Sequence, residues 1–79
     1  MSPTVFKWKG YRFLFFSREE DRMHVHVQCE DGEAKFWLDP DVELAQNHGL
    51  SEHQTSELVN VVRDRKDEIT VAWHRHFGG

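Results

Sequence analysis

The sequence predicts one α+β domain over residues 1–79. A four-stranded antiparallel sheet, made of two consecutive hairpins, is followed by a short helix and by a long C-terminal helix packed on one face of the sheet. Three observations predict this class. In the first half, runs rich in β-branched and aromatic residues flank two glycine-containing dipeptides, as in hairpins. In the second half, apolar residues recur at spacings of three and four, as in an amphipathic helix. The length fits one small domain.

The first hairpin is predicted around Lys9-Gly10, between the strands Thr4–Trp8 and Tyr11–Ser17. A two-residue loop there pairs Trp8 with Tyr11, Phe6 with Phe13 and Thr4 with Phe15. These pairs place aromatic rings together on one face, where cross-strand contacts stabilise a sheet. The wholly charged segment 18–22 that follows is predicted to be a solvated linker.

The second hairpin is predicted around Asp31-Gly32, since Asp-Gly between alternating runs is the strongest local hairpin signal. With these two residues as the loop, one face is apolar, and its pairs are Cys29 with Ala34, Val27 with Phe36 and Val25 with Leu38. The other face is polar, and its pairs are His24 with Asp39, His26 with Trp37 and Gln28 with Lys35. The same register sets Glu30 against Glu33, and like charges repel. A longer loop with a glycine bulge relieves this repulsion, so the cross-strand partners stay open.

Two helices are predicted after the sheet. Asp39 suits an N-cap and Pro40 the first helical position, with Gly49 as the left-handed end of this short helix. Ser51 and Gln54 have the spacing of a capping box. The residues that then recur at helical spacing are Leu58, Val61, Val62, Arg65, Ile69, Ala72, Trp73 and His76. They predict a single helix of about 25 residues over the apolar face of the sheet.

The composition restricts the function classes. The formal net charge is −4 with histidines neutral, so the chain as a whole has no strong attraction to nucleic acids. Cys29 is the only cysteine, which excludes an intramolecular disulfide and fits a reducing compartment. No apolar run approaches the ~20 residues of a membrane span, and the N-terminus has no signal-peptide pattern. We therefore expect a cytoplasmic protein that does not bind membranes.

The polar face of the second hairpin has the candidate catalytic residues. His24 and His26 project from the same face of one strand about 6.5–7 Å apart, close enough to share a phosphate. Asp39, predicted opposite His24, is placed to fix the tautomer of that ring. His24 is then a candidate general base and His26 a candidate general acid, as phosphodiester transfer in RNA requires. The alternative is that both histidines are structural polar residues, with His26 packed on Trp37.

The same face has candidate binding residues. Lys35, with Lys7 or Arg12 beside it, is suited to neutralise a phosphate, and Trp37 to stack on a base. Gln28 completes this predicted surface. The spacing of these residues fits a contact with RNA or with a protein, and it does not decide between them.

A metal site is not expected. His24 and His26 need a third ligand such as His48 or His76, and no recognised zinc-ligand spacing is present. Cys29 belongs to the apolar face, so we interpret it as a buried small hydrophobe and not a nucleophile. We accordingly predict no metal and no cofactor.

Several blocks of the chain resemble, in order, one bacterial family, the domain-of-unknown-function 4160 family. These blocks are Pro3-Thr4-Val5-Phe6, Lys9-Gly10-Tyr11-Arg12-Phe13, His24-Val25-His26-Val27, Gly32-Glu33-Ala34-Lys35-Phe36-Trp37-Leu38 and Val42-Glu43-Leu44-Ala45-Gln46-Asn47-His48-Gly49, together with Trp73. Met23 stands where the family usually has a proline before its His-x-His motif. The resemblance implies a gene that often lies beside another small gene, in an arrangement like a toxin–antitoxin pair. It implies no established catalytic residue.

Two function hypotheses follow. The first is a protein-binding component of such a two-gene module, which binds the product of the neighbouring gene through the surface face of its sheet or through an open strand edge. The second is a small toxin that binds or cleaves RNA with His24, His26 and Lys35. The acidic composition opposes the second, because proteins of this size that act on RNA usually have a basic surface. We therefore expect binding in preference to catalysis, and the sequence leaves a homo-oligomer open.

Overall fold

The computed structural model describes residues 4–16 and 21–78. A five-stranded antiparallel sheet has its strands in chain order: β1 (Thr4–Trp8), β2 (Tyr11–Leu14), β3 (His24–Cys29), β4 (Gly32–Trp37) and β5 (Glu43–His48). Two helices follow, α1 (Glu52–Asp64) and α2 (Lys66–Phe77). The α+β class is confirmed, and the predicted number of four strands is wrong by one.

The first hairpin forms at the predicted turn. Lys9 and Gly10 have φ values of 46° and 82°, as the two central residues of the turns favoured in hairpins require. The predicted pairs Trp8 with Tyr11 and Phe6 with Phe13 are confirmed, and both ring pairs are stacked. The predicted pair of Thr4 with Phe15 is wrong, because a register shift between Thr4 and Phe6 sets Thr4 opposite Leu14. Most of the predicted linker 18–22 lies outside the described residues.

The second hairpin turns earlier than predicted. Cys29 pairs with Gly32, which leaves Glu30 and Asp31 as the loop and moves every cross-strand partner by two residues. The new register separates Glu30 from Glu33, whose carboxylate accepts a hydrogen bond from the Gln28 amide at 3.4 Å. Because the partners shift by two residues, every side chain stays on its predicted face. The predicted partners are wrong and the predicted faces are confirmed.

The short helix predicted after Pro40 is wrong, since Glu43–His48 forms β5 at the edge of the sheet. Gly49 is left-handed as predicted, with φ of 93°, but it follows a strand. The Asn47 side chain bonds both the N–H and the carbonyl of Leu50, which closes the turn into α1. β5 pairs with the outer edge of β4, whose N–H and C=O groups would have no strand partner there without it.

The C-terminal helical region begins as predicted and is interrupted once. Ser51 and Gln54 form the capping box, with bonds of 3.1 and 2.8 Å between side chain and backbone. The predicted single helix is wrong, because Arg65 leaves helical geometry at φ −111° and ψ 20°. Its guanidinium lies 3.8 Å from the ring centroid of Phe6 and bonds Glu68 at 3.0 Å. Arg65 thus ties the junction of the two helices to β1.

One face of the sheet and both helices enclose the core. The buried apolar residues that form one cluster are Tyr11, Phe13, Phe15, Val25, Val27, Ala34, Phe36, Leu38, Val42, Leu50, Leu58, Val61, Val62, Ile69 and Trp73. The predicted apolar face of the second hairpin belongs to this cluster. Leu14 is only 1% exposed yet lies outside it, on the opposite face. Within the described ranges, no helix combines the length and the apolar character needed to cross a membrane.

Candidate functional site

The face of the sheet opposite α1 has rows of polar side chains that cross the strands. We call this surface the polar face, and its principal residues are Lys7, Arg12, His24, His26, Gln28, Glu33, Lys35, Trp37 and His48. In one row, Lys7, Arg12, Gln28, Glu33 and His48 follow one another across all five strands. In the next, His26 lies opposite Lys35, and in the third His24 lies opposite Trp37. Strand alternation places these side chains on one face, and the register between the strands aligns them in rows.

Trp37 is the centre of the third row and has two cations against its ring. The Arg22 guanidinium carbon lies 4.4 Å from the ring centroid, and the Lys35 ammonium nitrogen lies 4.5 Å from it. Arg22 is held in place because its Nε donates to the Asp39 carbonyl at 2.9 Å. Each such cation–π contact contributes about 0.5–2 kcal/mol, depending on its exposure to water. The half-buried indole and its two cations form one platform, which the exposed Glu43 of β5 flanks in the same row.

His24 is held rigidly at one end of this surface. Its Nδ1 donates to the Arg22 carbonyl at 2.7 Å, because a carbonyl oxygen can only accept. Its ring centroid lies 5.2 Å from that of His26, 5.8 Å from Trp37 and 5.1 Å from Trp73 of α2. The side chain is 2% exposed. The ring is thus oriented by several neighbours and has little surface left for a substrate.

His26 and Lys35 are also enclosed. The Phe16 ring centroid lies 4.3 Å from that of His26, in an edge-on arrangement, and the Nε2 atom of His26 is buried. Lys35 is 4% exposed although it lies on the polar face. A lysine so enclosed packs its alkyl stem on neighbouring groups and directs its charge at the Trp37 ring.

The structure brings most of the predicted site residues onto one surface and separates one of them. His24, His26, Lys35 and Trp37 form a contiguous group, with Gln28, Arg12 and Lys7 in the adjoining row. The predicted pairing of Asp39 with His24 is wrong, because the shifted register places Trp37 there. Asp39 is exposed beyond the end of β4, and the Nδ1 of His24 bonds a backbone carbonyl instead. A carbonyl fixes the ring without adding the negative charge that the predicted base required.

Two residues of this group are not predicted by the sequence. The charge pattern places Arg22 in a solvated linker, yet it contacts Trp37 and supplies the carbonyl that holds His24. Helical spacing places Trp73 in the core, where it is buried, and it also touches the His24 ring. For Arg22, the available signal is an arginine two residues before the start of a strand with alternating histidines. No local pattern indicates the second.

Other features of the chain lie apart from this group. Among residues 4–16 and 21–78, no three His, Cys, Asp or Glu side chains are grouped so as to hold a metal ion. Cys29 is half-buried against the core. A groove of about 540 Å³ lies between β1 and α2 and is lined by Val5, Glu68, Val71, Ala72, Arg75 and His76. A second, of about 490 Å³, is lined by Asp41, Val42, Glu43, Arg63 and Lys66. Neither groove includes a residue predicted for the site.

Comparison with known proteins identifies a family and no characterised relative. A family model described as "Domain of unknown function (DUF4160)" matches residues 10–74, most of the chain. The match spans β2 to β5, α1 and most of α2, and so includes the Trp37 group. No curated protein and no solved structure matches the chain.

Proposed function

The chain belongs to the DUF4160 family, and from that premise we propose that it is the protein-binding component of a two-gene, toxin–antitoxin-like module. Its partner is the product of the neighbouring small gene, and the contact surface is the polar face around Trp37. The single observation that supports this most is the half-buried indole with Arg22 and Lys35 against its ring. Tryptophan and arginine are the residues most enriched among those that dominate protein interface energies.

The charges around Trp37 favour a particular partner segment. Arg22 is exposed beside the Trp37 ring and is the cation that a partner can reach, whereas Lys35 is only 4% exposed and contacts the same ring from within the protein. A partner segment that has carboxylates beside an apolar side chain complements this platform in charge and in contact area. Because the cations are already oriented by contacts within the protein, little side-chain entropy is lost when such a segment binds.

The burial of His24 favours binding over catalysis. A general base must lie within hydrogen-bond reach of the proton it removes, and His24 is 2% exposed behind two tryptophan rings. Its bonded Nδ1 and ring contacts suit a positioning role, in which it supports Arg22 and Trp37. The alternative of an RNA-binding or RNA-cleaving toxin draws on the same platform, because an indole with adjacent cations also suits a base and its phosphate.

The test is co-expression of the tagged protein with the product of the neighbouring gene. We expect a stable complex that Trp37→Ala weakens by about tenfold or more, as is typical of an aromatic residue at the centre of an interface. Val71→Ala removes an exposed apolar side chain on α2, away from Trp37, and serves as the control that leaves the complex intact.

RNA activity is measured on the same proteins. If wild-type protein alone arrests growth and cleaves RNA, and if His26→Gln abolishes both while the protein stays folded, the toxin alternative is correct and our proposal is wrong. A complex that is lost in Trp37→Ala, without RNA cleavage by either protein, supports the proposal. A complex that survives Trp37→Ala unchanged refutes the assigned surface.

A further inference from the structure

β5 is a strand at which the sheet can be extended. Among the described residues its only strand neighbour is β4, so the outward N–H and C=O groups of Glu43–His48 form a sheet edge. Natural edge strands are commonly blocked by lysine, by proline or by a covering element. β5 has neither residue, and all of its positions except Ala45 are exposed; its one irregularity is the register shift against β4 at Ala45, of the kind that also disturbs pairing at a sheet edge. The opposite edge, β1, has Lys7, and the Arg65 guanidinium lies on its Phe6 ring.

The sequence of β5 is complementary to itself in the antiparallel direction. A two-fold axis between Ala45 and Gln46 sets Glu43 of each copy opposite His48 of the other copy. An imidazole N–H donates to a carboxylate, so this pair is favourable, and it occurs twice in the symmetric arrangement. The same register sets Leu44 opposite Asn47.

This register also keeps both faces of the sheet continuous. Glu43 and His48 pair within the chain with Trp37 and Glu33, so both lie on the polar face. Leu44 and Asn47 pair with Phe36 and Ala34, so both lie on the helix face. Leu44 is 42% exposed and is one of two large hydrophobic residues that the described chain exposes to this extent. A second copy of the protein at this edge covers part of the Leu44 side chain.

We propose that the protein forms a symmetric dimer through antiparallel pairing of two β5 strands, which joins two five-stranded sheets into one. The occupant of the edge is thus a second copy of this chain. The register shift of β5 against β4 lies between Gln46 and Leu44, beside the two-fold axis. Ala45 has no partner in β4 and lies opposite Gln46 of the other copy, so the regular pairs on each side of the axis are only Glu43 with His48 and Leu44 with Asn47. The interface is therefore small, and we expect a reversible dimer whose dissociation constant is micromolar or weaker.

The dimer has a structural consequence for the polar face. The two-fold axis is perpendicular to the sheet, so both copies present their Trp37 groups on the same side. This arrangement does not depend on the proposed function, because β5 pairing involves no residue of the Trp37 platform itself.

The experiment is sedimentation equilibrium over about 10 μM to about 1 mM, the range in which small interfaces associate. Wild-type protein is expected to show a reversible monomer–dimer equilibrium. E43K sets lysine opposite His48, and H48E sets glutamate opposite Glu43, each twice in a symmetric dimer. Each change is expected to weaken dimerisation about tenfold or more, since unfavourable cross-strand pairs replace favourable ones.

The decisive sample is an equimolar mixture of E43K and H48E. In the mixed dimer, the introduced lysine of one chain faces the introduced glutamate of the other, and the retained His48 faces the retained Glu43, so both pairs are favourable. The mixture is expected to dimerise more than either variant alone, which only antiparallel pairing in this register produces. D64K and H53E make the same charge changes on exposed positions of α1 and are expected to dimerise like wild type. Circular dichroism checks that each variant is folded.

Three results would overturn the proposal. One is a wild-type protein that remains monomeric to about 1 mM. Another is a dimer that E43K and H48E leave unchanged. The third is a mixture that associates no better than the separate variants.

Discussion

Gly32 is the position at which a substitution tests the observed register most directly. A Cβ built on Gly32 collides with the backbone carbonyl of His48, and it lies 3.0 Å from that carbonyl carbon and 3.1 Å from the Cα of Gly49. These atoms are backbone, so they cannot move aside like the end of a side chain. Gly32→Ala therefore forces the end of β5 away from β4.

The expected cost of Gly32→Ala follows from this overlap. Overpacking that moves backbone usually lowers the free energy of unfolding by about 1–3 kcal/mol. In a domain of this size each kcal/mol lowers the Tm by about 4–8 °C, so we expect a decrease of about 10 °C. Gly32→Asn, which adds a larger side chain at the same site, should cost at least as much. Thermal unfolding followed by circular dichroism measures both.

The comparison with asparagine separates the observed register from the predicted one. If Gly32 were a turn residue with positive φ, asparagine would be tolerated there, because it adopts the left-handed region readily. Gly10, which has φ of 82° and nothing within 4 Å of an added Cβ, is the control. Gly10→Asn should cost only a few tenths of a kcal/mol, like other asparagines at left-handed turn positions. A Gly32→Asn protein as stable as Gly10→Asn would refute the pairing of Cys29 with Gly32.

Three further predictions concern the two faces, the helix cap and the buried histidine. Val27→Asp should unfold the domain, since it places an unpaired charge in the core, whereas Gln28→Lys, which sets a lysine opposite Glu33 on the other face, should cost no more than about 1 kcal/mol; equal damage at the two positions in urea denaturation would contradict the face assignment. Ser51→Ala should cost about 1 kcal/mol, because the side chain caps α1, and an unchanged urea midpoint would contradict that role. His24→Ala should cost about 2–4 kcal/mol, since it removes a buried ring and its hydrogen bond, and a Tm equal to that of wild type would show that the ring is not structural.

The two faces of the sheet could be predicted from the sequence because alternation is a local property. Val25 and Val27 on one side, and His24 and His26 on the other, follow from the pleat alone. The turn could not be placed in the same way. The local pattern predicts Gly32 to be a turn residue next to Asp31. In the structure it is a strand residue, and the close approach of the His48 backbone leaves no room for a Cβ there. That contact comes from β5, a strand that the local pattern around Gly32 does not include.

The elements after the sheet show the same division between local and distant causes. The capping box of Ser51 and Gln54 is local and was predicted correctly. The Gln54 amide also donates to the Tyr11 hydroxyl and to the Asp31 carboxylate, which no spacing in the sequence indicates. β5 was mistaken for a helix because so short a segment has too few apolar residues to define a period. Its pairing with β4 makes this segment a strand.

The candidate site was predicted in composition but not in its chemistry. Alternation put Lys35, Trp37 and both histidines on one surface, and their side chains do lie together. The proposed role of His24 as a base depended on Asp39 as its cross-strand partner, which is the kind of detail that a shift of two residues changes. With a backbone carbonyl at Nδ1 and aromatic rings around it, His24 instead supports the Arg22 and Trp37 platform. This geometry is the reason that we propose binding in preference to proton transfer, and it makes the effect of Trp37→Ala on complex formation a more informative test than either histidine variant.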